Sequence, residues 1–190
     1  MDTTSSQLEW IVHYLAKYPG IQEKLAEEID SNLPCKRLPS LTDRSKLPYT
    51  AAVIQETMRI SLTAPLGLFH SALEDTAIAG YQIPKGTLII GNLHGIHNNP
   101  KEWQNPREFR PERFITEDGS FSVGHKPLFP FGTGSRSCVG AGLAQNQLFI
   151  FTARIFQTFR VKAIGELCSH PEFSLVVCPK PFHVIFERRN

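Results

Sequence analysis

The chain has 190 residues, of which 41% are hydrophobic and 20% charged, and a formal net charge of +2. That length carries one globular domain with a real core, and that composition excludes disordered and fibrous chains. So small a charge gives no reason of its own to expect nucleic acid, and no repeat, low-complexity tract, signal peptide or bilayer-length apolar run occurs.

The chain opens directly on a helical pattern, with Leu8, Ile11, Val12 and Leu15 on one stripe and Asp2 or Thr3 available as a cap. A domain rarely begins with so apolar a helix, so a piece is expected to be missing upstream, which would leave this helix's apolar side uncovered. The helix is predicted to stop near Pro19-Gly20, and a second follows over residues 21–33. The proline-punctuated stretch 34–48 reads as a surface connection, and a third helix covers 49–62. Beyond Pro65, "LGLFHSAL", "TAIAGYQI" and "GTLIIGNL" each read as a short strand. "HNNPKEWQNPREFRPERF" reads as irregular but packed, because Trp103, Phe109 and Phe114 are large apolar groups. "AGLAQNQLFIFTARIFQTF" is a strong helix, and "FSLVVCPKPFHVIFER" a hairpin around residues 179–181. The fold class is therefore mainly α with small β-sheets.

In the third helix, Tyr49, Ala52, Val53 and Ile60 share a face, with Glu56 in its middle and Arg59 at its edge. Ile54 and Met58 make the opposite face apolar too. An exposed i,i+3 ion pair is the plain alternative, but a helix apolar on both sides buries its charges. A buried arginine has five donors, more than one carboxylate satisfies, so a buried network is expected.

The four cysteines, Cys35, Cys138, Cys168 and Cys178, form no C-x-x-C pair, and their spacing predicts reduced thiols on a cytosol-facing protein. Cys138 stands in "FPFGTGSRSCVG". Gly132 and Gly134 permit positive φ and close backbone approach. A helix begins just after Cys138, and its free N–H groups and positive dipole end favour a thiolate. Arg136 adds a cation for a carboxylate or phosphate. A thiolate on a glycine platform beside an anion clamp suits a flat metal cofactor with acidic side groups, and haem held by a cysteine thiolate is such a cofactor. The other reading of these residues is a cysteine nucleophile with His125 as its base.

Phe131-Gly132-x-Gly134-x-Arg136-x-Cys138-x-Gly140 resembles the haem-binding loop of the cytochrome P-450 family. Glu56-x-x-Arg59 and Pro111-Glu112-Arg113-Phe114 resemble that family's E-x-x-R and P-E-R-F motifs, in the same order and at fitting separations. The resemblance covers essentially the whole chain and its tone is that of the animal microsomal steroid and xenobiotic hydroxylases.

The resemblance implies a single partial domain over 1–190, the C-terminal part of the cytochrome P-450 fold. It would hold the end of the distal helix, the E-x-x-R helix, the meander, the cysteine loop, the proximal helix and a C-terminal hairpin. Cys138 would be the axial ligand of a haem b iron, with Phe131 packed beside the sulfur and Gly132, Gly134 and Gly140 shaping the platform. Arg136 and His70 would bind propionates, although a strand histidine bonded locally is the plainer reading of His70. Glu56, Arg59 and Arg113 would form the ion network behind the loop. Asp2-Thr3 resembles the acid–threonine pair that manages proton delivery, and taken alone is a helix cap. Residues 64–68 and 173–177 resemble substrate-facing segments.

The implied activity is a monooxygenase that inserts one atom of O2 into a lipophilic substrate. Its electrons would come from an NADPH-dependent diflavin reductase, with cytochrome b5 as a second donor, at the cytosolic face of the endoplasmic reticulum membrane. The alternative is a truncated, non-catalytic family member that binds haem weakly or not at all. Ala141, Gln145 and Gln147 stand where relatives often carry glutamate, arginine and glutamate, a departure that touches the haem edge and the partner-facing surface but not Cys138.

Overall fold

A computed structural model describes residues 2–34, 37–124, 127–172 and 176–189. Four helices form its body: α1 (Asp2–Lys17), α2 (Pro19–Asn32), α3 (Pro48–Ile60) and, after the short α4 (Leu93–His97), α5 (Ala141–Thr158). Their shared core is built from Trp10, Ile11, Leu15, Leu25, Ile29, Val53, Leu148, Phe149 and Phe156, each essentially inaccessible to solvent. Aromatic rings bind the irregular segment to it: Tyr14 and Phe109 stack 4.5 Å apart and nearly parallel. Such pairs contribute beyond their area burial.

α1 is buried on most of its circumference, including Trp10, Ile11, Val12, Tyr14 and Leu15. The expectation that its apolar side lies uncovered is therefore corrected. α5, β5 (Phe159–Ile164) and β7 (Cys178–Pro179) pack on it and remove that surface from water. The large exposed apolar side chains stand elsewhere, among them Leu68, Phe69, Leu73, Val139 and Leu143.

Pro19 does not lie in a break between helices but opens α2, where its missing N–H would have had no intrahelical partner. The first turn of α3 is satisfied from a neighbouring helix. The Glu28 carboxylate of α2 accepts the backbone N–H groups of Tyr49 at 2.6 Å and Thr50 at 2.8 Å. Burial raises the Glu28 pKa, and these hydrogen bonds oppose the rise. The connection between α2 and α3 is more ordered than a plain surface loop. It holds a 3₁₀ turn, Leu41–Lys46, started by Ser40 and Asp43 in a capping box. Arg37 grips Asp43 with two N–H groups, at 2.9 and 2.7 Å, and holds that carboxyl far below its ordinary range.

The stretch "TAIAGYQI" is not one strand. It is a hairpin, β2 (Thr76–Ile78) against β3 (Tyr81–Ile83). Ala79 (φ 50°) and Gly80 (φ 86°) both take left-handed backbone, as a tight two-residue turn requires. This hairpin is enclosed by β1 (His70–Ser71) paired with β4 (Leu88–Ile89).

The C-terminal hairpin also differs from expectation. Cys178–Pro179 pairs with β6 (Pro171–Glu172), while β8 (His183–Arg188) pairs antiparallel with β5 over six residue pairs. Pro179 and Pro181 have no N–H to give to a ladder, so the chain crosses them without turning back. The strand that leaves α5 then offers β8 the longer ladder. Among the described residues no helix is long and apolar enough to cross a membrane.

Candidate functional site

Glu56 and Arg59 share one face of α3, and both side chains are wholly buried. Arg59 Nε donates to Glu56 Oε2 at 2.7 Å and Nη2 to Oε1 at 2.9 Å, a two-pronged pair. The rest of the guanidinium is used on backbone: Nη1 donates to the His97 carbonyl at 2.9 Å, and Nη2 to that of Pro106 at 2.9 Å. Its Cζ lies over the Trp103 ring, 5.1 Å from the centroid.

Arg113, in the 3₁₀ turn Pro111–Phe114, joins from the far side, with Nε 3.1 Å from Glu56 Oε1. Its Nη2 donates to the Asn105 carbonyl at 2.7 Å, and its Nη1 to the carbonyl of Gln104. The Arg110 N–H completes the shell of Glu56 at 3.0 Å. One carboxylate is thus shared by two cations, and desolvation lowers the Arg113 pKa against the pull of Glu56. The three residues singled out in the sequence meet in one buried cluster, which ties α3 to the irregular segment 98–114.

The cysteine loop leads from that cluster to the head of α5. Its first residue, Phe129, donates its N–H to His97 Nε2 at 2.7 Å. The Phe129 carbonyl accepts from Gly132 at 3.0 Å, and the Phe131 carbonyl from Cys138 at 2.8 Å. Gly132 and Gly134 both have φ of 72°, a backbone that side-chain-bearing residues rarely adopt. The Phe131 side chain packs on the helical core. Cys138 is a free, exposed thiol three residues before α5. Gly140, at the helix N-cap, keeps the space beside it clear: a Cβ there would stand 3.8 Å from Sγ. Beside the thiol, the Val139 side chain is fully exposed.

The remaining sequence candidates are spread over other elements. His70 is exposed in β1, and Arg136 is exposed at the end of the 3₁₀ turn Gly134–Arg136. Asp2 and Thr3 are exposed in the first turn of α1. The Asp2 carbonyl accepts the Ser6 hydroxyl at 2.8 Å, and Ser6 Oγ stands 3.1 Å from Cys178 Sγ. Thr63, adjoining the segment 64–68, accepts the Val177 N–H at 2.9 Å, so the end of the segment 173–177 lies beside it. Residues 173–175, Cys35 and His125 lie outside the described residues. Cys168 and Cys178 are free thiols.

Sequence reasoning missed His97, which is fully buried and contacts both the ion network and the cysteine loop. Its signal was faint: a histidine in "HGIHNNP" next to another histidine, with nothing to separate it from His94. Burial holds its pKa down at about 4.

The donor set fits a haem. A soft sulfur ligand stands exposed on a rim of glycine and apolar side chain, and among the described residues no second thiol or imidazole is bonded to it. Among the described residues no group of three or more His, Cys, Asp or Glu could hold a metal ion by itself. A cofactor that brings its own equatorial ligands needs only one from the protein, and a flat one needs a surface cleared of Cβ atoms. A separate cleft of about 590 Å³ lies between α2 and β5 and includes no residue of the loop.

The family model described as Cytochrome P450 matches residues 1–186. The chain is 38% identical over 192 residues to "Cytochrome P450 2U1" of Homo sapiens, with 99% of this chain and 35% of that protein covered. It is 41% identical over 193 residues to "Cytochrome P450 2L1" of Panulirus argus, covering 100% of this chain and 39% of that one. It is 42% identical over 194 residues to "Steroid 17-alpha-hydroxylase/17,20 lyase" of Squalus acanthias, at coverages of 100% and 38%. Among solved structures, "Zebra fish cytochrome P450 another structure with Abiraterone" superposes with a TM-score of 0.90 at 36% identity, covering 99% of this chain and 45% of that one. The fold and the loop are those of a haem-thiolate protein. The chain belongs to the cytochrome P450 family. It spans a little over a third of the length of the curated relatives it matches.

Proposed function

We propose that this chain forms the haem-holding portion of a monooxygenase that inserts one atom of O2 into a lipophilic, steroid-like substrate. The observation that carries the reading is the Cys138 thiol, exposed at the head of α5 on a loop whose base is linked through His97 to the buried Glu56–Arg59–Arg113 cluster.

In this reading Cys138 Sγ is the proximal ligand, with its N–H already committed to the Phe131 carbonyl. The haem, when bound, supplies O2 activation, which a thiolate ligand favours. Arg136 and His70 take its propionates, and Phe131, Gly132, Gly134 and Gly140 shape the surface that receives it. The Asp2 carboxylate and Thr3 hydroxyl relay protons from solvent. Residues 64–68 and the strand ending at Val177 face the substrate. The overall balance is substrate, O2, NADPH and a proton giving hydroxylated substrate, water and NADP⁺. Electrons arrive through a diflavin reductase, with cytochrome b5 as an alternative donor, at the cytosolic face of the endoplasmic reticulum. The steroid-like class is supported by the relatives named steroid 17-alpha-hydroxylase/17,20 lyase and by the superposing structure named with progesterone.

The test is the Soret band of the reduced, carbon monoxide-treated holoprotein. Cys138→Ser is expected to abolish the red-shifted band of thiolate-ligated haem, while Cys168→Ser and Cys178→Ser leave it. A steroid is expected to perturb the ferric Soret band of the unmutated protein. Persistence of the thiolate band in Cys138→Ser would overturn the ligand assignment, and no response to any steroid would overturn the substrate class.

A further inference from the structure

His97 is the last residue of α4 and is fully buried. Two of its groups face two different systems. Its backbone carbonyl accepts Arg59 Nη1 at 2.9 Å, and its ring Nε2 lies 2.7 Å from the Phe129 nitrogen. A backbone N–H can only donate, so Nε2 carries the lone pair and the ring proton sits on Nδ1. Nδ1 has no hydrogen-bond partner among the described residues. A buried donor without a partner is costly, so hydrogen bonding by the ring is concentrated on the loop contact.

From Phe129 the connection runs on. The Phe129 carbonyl turns Gly132, and the Phe131 carbonyl holds the Cys138 N–H. Because Gly132 and Gly134 have little backbone preference of their own, the loop's shape depends on where its first residue is pinned. The imidazole is a stiff spacer between that pin and the carbonyl gripped by Arg59.

We propose that His97 is a positioning residue for the cysteine loop, which by accepting the Phe129 N–H at Nε2 transmits the placement of the Glu56–Arg59–Arg113 cluster to the Cys138 sulfur. This rests on the haem-thiolate reading above. A ring that only filled space would be replaceable by any group of similar bulk. The inference requires an acceptor at the position of Nε2.

The experiment compares His97→Gln, His97→Asn and His97→Leu in the haem-loaded full-length protein. Every variant keeps the backbone carbonyl that Arg59 uses. Glutamine reaches an amide oxygen to about the position of Nε2, asparagine falls short, and leucine has no acceptor. The readout is the fraction of bound haem that gives the thiolate-type ferrous carbon monoxide band, at measured total haem. Loss of one such hydrogen bond is expected to shift the seated-to-unseated ratio of the loop about fivefold in H97N and H97L, with H97Q close to the unmutated protein. Equal ratios in all three, or H97Q failing as badly as H97L, would overturn the proposal.

Cys138→Ser runs alongside. If it keeps the thiolate band, the haem reading falls, and the loop contact is judged by amide exchange instead. There the Phe129 amide of the unmutated protein is expected to exchange at least about tenfold more slowly than an unbonded loop amide. H97N is expected to speed that exchange. An unprotected Phe129 amide overturns the proposal whether or not any variant folds.

Discussion

Arg59→Ala removes the hub of the buried cluster, and its cost follows from what is left behind. Glu56 loses a two-pronged partner and keeps only Arg113 Nε at 3.1 Å and the Arg110 N–H at 3.0 Å. The carbonyls of His97 and Pro106 lose the donors that satisfied them. Breaking a buried ion pair costs about 3–5 kcal/mol, and each stranded polar group about 1–3 kcal/mol. These terms overlap, because side chains and water relax around the gap, so about 3–5 kcal/mol is the working figure. Against a total stability of about 5–15 kcal/mol, that is a lowering of the melting temperature by about 10 °C and a collapse of haem content. The assay is thermal unfolding by circular dichroism together with the ferrous carbon monoxide spectrum of the same holoprotein samples. Arg160→Ala is the control: its partner Glu23 lies at 3.1 Å with both side chains more than half exposed, and its loss is expected to cost under about 1 kcal/mol. If Arg59→Ala melts and binds haem like Arg160→Ala, burial does not govern the energetics of the cluster.

Removing the carboxylate that caps α3 from outside, Glu28→Ala, strands the N–H groups of Tyr49 and Thr50 and is expected to cost about 1–2 kcal/mol in thermal melts; an unchanged midpoint would refute the cap. Acid should destabilise the protein before its carboxylates titrate. Burial lowers the pKa values of His13 and His97 to about 4 from 6.5, so between those values the unfolded chain binds more protons and stability falls as pH falls. By pH 5 each histidine would account for about 2 kcal/mol. His13→Phe, beside the rings of Trp10, Tyr14 and Phe182, should flatten the decline of melting temperature between pH 6.5 and 5. A slope unaltered by that change would refute its origin in His13.

The helices were legible because their information is local. Residues three and four apart in α1, α3 and α5 carry the apolar stripes, and no distant partner is needed to see them. The cysteine loop was legible for a related reason: positive φ at Gly132 and Gly134 and a thiol before a helix start are properties of a dozen adjacent residues. Burial of Glu56 with Arg59 followed from apolar residues on both sides of one helix.

Strand pairing was not legible in that way. Whether β8 folds back on its predecessor or crosses to β5 depends on a ladder between residues far apart in the chain, Phe159 with Arg188 at one end and Ile164 with His183 at the other. Only the packed helices bring those strands together. The same holds for α1, whose apolar stripe shows in the sequence while the elements that cover it lie more than a hundred residues away. His97 is the sharpest case. The segment it opens reads in sequence only as irregular but packed, and tertiary packing places one carbonyl on Arg59 and one ring nitrogen on Phe129. A residue whose role is to join two distant segments has no local pattern, because the groups that define it are supplied by the fold.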